Sequence, residues 1–388
     1  MPIIPAVQDL AADAQHWRRD IHSHPELEYD VQRTAKFVAD RLHAFGCDEV
    51  NMFIGKSGVV GIIKGRRGGA GRTIGLRADM DALPIHETTN LPYQSTIPGK
   101  MHACGHDGHT AMLLGAARYL AKTRDFNGTL AVIFQPAEEG GAGAKAMLDD
   151  GLMTRWPIEE VYGMHNAPSL PIGSFAIRKG AFLAAADRFT INIEGRGGHA
   201  AQPHLGVDPI VAGAQIVTAL QTIVARGADP LDSLVVSVTR FDAGTTFNVI
   251  PQSAQLLGTV RTLNDSTRAF AQKRVTEIAM GIGAAMGASV DVHYVGGYPV
   301  TRNHPQQTDF ATRIARKVAG DQAVIADAPP IMGAEDFSYM LEAKPGAFIF
   351  VGNGDSAALH HPGYDFNDAA LPYGMSYWVQ LAETALAA

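Results

Sequence analysis

Two cysteines in 388 residues, Cys47 and Cys104, leave no material for a disulfide framework. Such sparing use fits a reducing compartment. Charge is thin as well: Lys and Arg number 32 against 39 Asp and Glu, a formal net charge of −7. A nucleic-acid binder needs a basic face to displace phosphate counterions, so that class is excluded. No uninterrupted apolar run approaches the roughly 20 residues that span a bilayer, so no membrane partner is expected. The opening stretch MPIIPAVQDLAADAQHW has no basic segment followed by an apolar core, so no signal peptide is expected and the expected location is the cytoplasm. Low-complexity tracts and internal repeats are missing too. What is left, with 46% hydrophobic residues, is a globular chain of about two domains.

The first half alternates helical and strand patterns. VQRTAKFVADRLHAFG carries apolar residues at helical spacing and closes on Gly46. TIGLRADM, GTLAVIFQPAEE and EEVYGMHN each read as a buried strand running into a polar end, with helices around 108–122 and 141–150 between them. This alternation predicts a mainly parallel sheet with helices on both faces. Between 186 and 297 the rhythm becomes β-α-β-β-α-β, the split βαβ order of a ferredoxin-like unit. The fold class is therefore α/β. Residues 1–185 and 298–388 make a larger discontinuous domain, 186–297 an inserted one, and RKGAFLAA and GGYPV the linkers.

The rare residues are not scattered. HACGHDGH, residues 102–109, packs three histidines, a cysteine and an aspartate into one octet. In open α/β sheets functional groups collect beyond the carboxyl ends of the strands. Those ends carry Asp79 and Asp81, then Glu138 and Glu139, then His165; a late loop, LHHPGYD, adds His360 and His361. Taken singly, each piece has a plainer reading as a cap, a solvated turn or a core histidine. Together on one sheet edge they read as a metal site. Thiolate from Cys104, imidazole from His106 and His165, and carboxylate from Glu139 suit Zn²⁺, Mn²⁺, Co²⁺ or Ni²⁺. Adjacent side chains of an extended segment point to opposite faces, so Glu138 and Glu139 cannot easily share one ion. One can bind metal while the other takes a proton from an activated water, the arrangement of a metal-assisted hydrolase. A histidine from the late loop supplies enough ligands for two ions.

GLRADMDALPIHE, GKMHACGHDGHTAMLLGAA, VIFQPAEEGGAGAKAML, GMHN, GGHAAQPH, TTFNVIP, MGAEDFSYM and LHHPGYDFND resemble the aminoacylase and carboxypeptidase family of metal-dependent amidohydrolases. The match is to its branch of hippurate, N-acyl-amino-acid and auxin-conjugate hydrolases, and it covers essentially the whole chain. The resemblance implies a catalytic domain binding two divalent transition-metal ions per subunit and an inserted dimerisation or lid domain. It implies Cys104, His106, Glu139, His165 and His360 as ligands and Glu138 as general base. His360 is preferred to His361 because relatives keep only the first histidine. Asp81 and His109 then orient ligands from behind. His199 in the insert implies a group that reaches the partner subunit's active site. Asn248 matches a substrate-reaching position, and Arg261 is a candidate for holding a substrate carboxylate. Other branches have His-x-Asp where this chain has Asp79-Met80-Asp81, and a bridging aspartate in place of Cys104. The expected protein is a homodimer or dimer-based oligomer that hydrolyses small N-acyl-L-amino acids. A dipeptidase or N-acyl-diaminopimelate deacylase is the alternative, and a non-catalytic metal-binding scaffold the more distant one.

Overall fold

The segment TIGLRAD is buried at all its positions, as a strand covered on both faces must be. It forms the strand Thr73–Asp79 at the centre of the main sheet in a computed structural model that describes residues 3–67 and 71–387. Eight strands make this sheet, in the spatial order Glu49–Ile54, Gly58–Lys64, Thr129–Gln135, Thr73–Asp79, Ile158–Pro168, Gly346–Gly354, Phe175–Ala176 and Val324–Ile325. The central pairings are parallel. One edge is an antiparallel hairpin, so the sheet is mixed rather than purely parallel. That hairpin turns through Gly55 and Lys56, both in the left-handed region at φ +59° and +80°.

The helix His106–Thr123 packs against Ala11–His22 and Leu371–Ala385. Its alanine- and glycine-rich face is buried from Ala111 to Ala117, which allows close helix packing. Gly46, at φ +78°, ends the helix Gln32–Phe45 as a left-handed cap.

The chain divides into two compact units: Met1–Gly180, Arg302–Pro329 and Asp336–Ala388 in one, Ala181–Thr301 and Pro330–Glu335 in the other. The smaller unit is wider than 186–297 because backbone bonds tie its ends: Ala184 N–H to Gly333 O at 2.8 Å and Ala186 N–H to Tyr298 O at 3.0 Å. Its four strands run antiparallel in the order Leu234–Ala243, Ser253–Thr262, Ala185–Glu194, Ser289–Val295. Two helices, Pro209–Thr222 and Asp265–Ala285, pack on the sheet through Ala212, Ile216, Leu220, Ala271, Val275 and Ala279. Asp208 caps the first, its carboxylate accepting from Ile210 and Val211 N–H. By length and composition the helical run Pro209–Gly227 is apolar enough to cross a membrane. Its buried residues include Ala212, Gly213, Ile216 and Leu220, while Ile210, Val211 and Val224 are exposed.

Candidate metal centre

Three loops and a strand of the larger unit bring the chemistry together. Gly105, left-handed at φ +90°, turns the octet into the helix that begins at His106. This places Cys104 Sγ 3.3 Å from His165 Nε2. His165 lies inside the strand Ile158–Pro168, opposite Phe350, and not beyond its end, because pairing with Gly346–Gly354 continues to Pro168. Its Nδ1–H donates to Asn166 O at 2.7 Å, which leaves the Nε2 lone pair free for a cation. From the late loop, His360 Nε2 comes within 3.1 Å of Glu139 Oε1, and Glu139 Oε1 lies 3.9 Å from His106 Nε2. His361 instead accepts Gly363 N–H through Nδ1 at 2.9 Å and is exposed. Ligand atoms of Cys104, His106 and His165 lie within 4.8 Å of one another, as do those of Cys104, Glu139 and His360, and those of His106, Glu138 and Glu139.

The electrostatics call for a cation. Burial pushes the Cys104 thiol well above its ordinary range, and Glu139, Glu138 and Asp79 push the same way. Burial opposes a charge on His106, but Asp79, Asp81 and Glu139 outweigh it and raise its pKa to about 10. Yet neither ring nitrogen of this fully buried imidazole has a hydrogen-bond partner among the described residues. Burial, with His109 as neighbour, keeps His165 neutral. A thiol, the open Nε2 lone pair of His165, the unpartnered ring of His106 and a carboxylate make a donor set that fits a borderline divalent ion, which would displace the proton from His106. A bound ion would supply the positive charge that the carboxylates otherwise draw from a proton on His106.

The Glu138–Glu139 loop is held from several sides. Ala137 and Ala142, at φ +54° and +57°, bracket it in left-handed conformations that non-glycine residues rarely adopt. Asp81 accepts both glutamate N–H groups, at 3.0 and 3.1 Å. Tyr29 OH donates to Gly141 O at 2.7 Å, and Ala137 N–H to Glu28 O at 3.1 Å. Behind His109, Asp79 accepts its Nδ1–H at 2.6 Å and is held by Arg77 at 2.8 Å. Burial would raise the Asp79 carboxyl, but His106, Arg77 and His109 hold it well below the usual range. Arg77 also donates to Asp336 at 3.1 Å and to Gln135 at 2.8 Å. Tyr29, Arg77, Asp336, Asn166 and Tyr364 are absent from the sequence reading, although all but Tyr29 sit inside its quoted motifs.

The insert's candidates belong to the smaller unit. His199 is exposed, bridges Val249, and accepts Ala201 N–H through Nδ1 at 3.0 Å. The neutral ring therefore carries its proton on Nε2, as a donor. Asn248 lies beside it, its backbone carbonyl accepting Ala200 N–H at 3.1 Å. Arg261, on the strand Ser253–Thr262, donates to Val260 O at 3.1 Å and to the Thr259 hydroxyl.

An α/β unit with clustered metal donors and a carboxylate beside them defines a metal-dependent hydrolase. The family model for Peptidase family M20/M25/M40 matches residues 75–384, and the chain belongs to that family. It is 44% identical to a hippurate hydrolase of Campylobacter jejuni over 382 residues, 98% of this chain and 99% of that one. It is 40% identical to an N-acetylcysteine deacetylase of Bacillus subtilis over 370 residues, 95% and 96% of the two chains. Among solved structures, the Bacillus subtilis YXEP protein, a dinuclear metal binding peptidase of the M20 family, superposes with a TM-score of 0.84 at 36% identity over 98% of this chain and 99% of that one. The protein is thus an amide-cleaving metalloenzyme with a centre for divalent metal.

Proposed function

We propose that the protein hydrolyses N-acyl-L-amino acids of the hippurate type, N-benzoyl or N-acetyl, to a carboxylate and a free amino acid. One observation carries the reading: Cys104, His106, Glu139, His165 and His360 converge while Glu138 lies next to them with its backbone clasped by Asp81. These five residues would hold two ions, from Zn²⁺, Mn²⁺, Co²⁺ or Ni²⁺. When bound, the ions would polarise the amide carbonyl and make water acidic enough to attack near neutral pH. Glu138 takes the proton of the attacking water on its carboxylate and passes it to the leaving nitrogen. Asp81 fixes the loop from which Glu138 acts. His199 donates its Nε2–H to the developing oxyanion, and Asn248 and Arg261 bind substrate.

The proposed assembly is a homodimer in which His199 serves the partner's site. Supporting it are the exposed Ile210, Val211 and Val224 of the helical run Pro209–Gly227 and Phe241 on the edge strand Leu234–Ala243. The proposed location is the cytoplasm, in keeping with two free cysteines. The test is a panel of N-benzoyl, N-acetyl and indole-acetyl amino acids, with dipeptides and N-acyl-diaminopimelate alongside, assayed after loading with each metal. N-benzoylglycine turned over among the best substrates is the expected result. Preference for dipeptides, or no turnover with any metal, would reject the proposal.

A further inference from the structure

We propose that Asn166 is the positioning residue that holds three ligand-bearing segments in register around the metal. It is fully buried, and each of its hydrogen-bonding groups is committed. Its backbone N–H donates to His109 Nε2 at 2.9 Å, and its carbonyl accepts the Nδ1–H of His165 at 2.7 Å. The side-chain Nδ2 donates to Cys104 O at 2.6 Å and lies 3.1 Å from His109 Nε2. The side-chain Oδ1 accepts the Tyr364 hydroxyl at 2.8 Å. From its place on the His165 strand, the side chain thus grips the Cys104 loop and the loop that carries His360, while its backbone carbonyl orients His165.

The direction of every bond in this set is fixed from one end. Arg77 holds Asp79 as an acceptor, so His109 must donate from Nδ1 and accept at Nε2. With Nε2 an acceptor, the amide of Asn166 must turn its NH₂ toward His109 and Cys104 O and its oxygen toward Tyr364. An aspartate in this place would set an oxygen against two acceptors. The fit is close as well: a Cβ on Gly105 would lie 2.3 Å from Asn166 Nδ2 and 2.6 Å from the Tyr364 hydroxyl. On the far side, His360 N–H donates to Ala103 O at 2.7 Å, which pins the late loop to the octet at one further point, and Tyr364 N–H donates to His361 O at 2.9 Å, which closes the loop on itself. Asn166 touches no group assigned to the reaction itself; it acts through Cys104, His165 and, by way of Tyr364, His360.

This inference rests on the reading of those three residues as ligands, and the experiment separates the two. Co²⁺ is titrated into metal-free wild type, Asn166→Ala, Tyr364→Phe and the double variant, following the thiolate-to-cobalt charge-transfer band that reports coordination by Cys104. Thermal melting of each metal-free protein is measured alongside. Wild type should show the band. Asn166→Ala should weaken Co²⁺ binding about ten- to a hundredfold, the usual cost of losing a group that orients ligands, and alter the band. Tyr364→Phe should do the same to a smaller extent and stay folded with only a small fall in melting temperature, and the double variant should bind no worse than Asn166→Ala. Wild-type affinity and an unaltered band in both single variants would overturn the proposal. Where Asn166→Ala does not fold, Tyr364→Phe decides alone: an altered band supports the proposal and a wild-type band overturns it. A wild type without the band would remove Cys104 as a ligand, and this proposal with it.

Discussion

Asp81 grips the backbone of Glu138: its Oδ1 accepts the Glu138 N–H at 3.0 Å, and its Oδ2 takes the next N–H, that of Glu139, at 3.1 Å. A carboxylate that accepts two successive amides fixes the orientation of both side chains that follow. Asp81→Ala should therefore lower kcat about ten- to a hundredfold while KM changes little. Asp81→Asn, which keeps the shape but turns one acceptor into a donor, should fall between it and wild type. Steady-state kinetics with metal content measured on the same samples checks this; unchanged kcat in Asp81→Ala would show that the loop holds itself.

Glu138 and Glu139 are neighbours in the chain with different proposed tasks, so their substitutions should separate. Glu138→Gln should keep its metal and lose about two to four orders of magnitude in kcat, the scale of general-base catalysis. Glu139→Gln should lose metal first and activity as a consequence. Elemental analysis beside turnover would read both, and the reverse pattern would exchange the roles.

Removing metal should cost stability as well as activity. The donors of His106, Glu139 and His165 are preformed in the folded chain and dispersed in the unfolded one, so a bound ion stabilises only the former. An ion present at about a hundredfold its Kd stabilises by about 2.7 kcal/mol. Chelator should therefore lower Tm and abolish turnover, and Zn²⁺, Mn²⁺, Co²⁺ or Ni²⁺ should restore both. Full activity in excess chelator would contradict the metal reading.

Asp107 of the octet belongs to a buried charge cluster with its own pH signature. His22 Nδ1 is 2.9 Å from Asp107 and its Nε2 3.3 Å from Glu87, with Arg18, His102 and Tyr93 as its other polar neighbours. Burial disfavours its charge, but Asp107 and Glu87 outweigh burial and Arg18 and raise its pKa from 6.5 to about 9. The folded value exceeds the unfolded one, so the stabilisation is complete below pH 6.5 and lost as pH rises through about 9. The interval corresponds to roughly 3 kcal/mol. Urea unfolding at a series of pH values should show stability falling across this window in wild type and a flatter profile in His22→Gln. A wild-type profile that is flat across this window would mean that His22 is buried neutral.

Much of the fold is written locally. TLAVIFQ and GAFIFVG are nearly continuous apolar runs because strands covered on both faces need them, and the order of elements in the insert follows from alternating patterns. The hairpin of Glu49–Ile54 and Gly58–Lys64 escapes such a reading. Its first strand is mostly half-exposed without clean alternation, and its turn uses a lysine at positive φ. The candidate site divides in the same way. Metal donors are recognisable by residue type wherever they fall. Asn166 and Tyr29 are ordinary polar residues whose roles exist only after distant segments meet: Asn166 pairs with a hydroxyl 198 residues away, Tyr29 with a carbonyl 112 away.

His199 has a donor ready, and among the described residues its Nε2 makes no hydrogen bond. The Ala201 N–H occupies its Nδ1, which leaves Nε2–H as the outward donor on an exposed turn. Amide hydrolysis needs a donor at the developing oxyanion, and losing one costs about 2.7–4 kcal/mol of barrier. His199→Ala should thus keep its metal and lose about a hundred- to a thousandfold in kcat. Whether the donor serves its own chain or its partner's is decided by mixing two inactive proteins, His199→Ala and Glu138→Gln, under conditions where subunits exchange. In a mixed dimer with service in trans, the site built on the His199→Ala chain has an intact Glu138 and receives His199 from its partner. One site of the two is then complete, so activity should return, toward one quarter of wild type when exchange is statistical: half of the dimers are mixed and each has one of two sites intact. With service within one chain, no polypeptide holds both groups and the mixture stays inactive. Inactivity after exchange has been demonstrated by mass-tagged subunits would therefore place His199 in its own chain's site or in none.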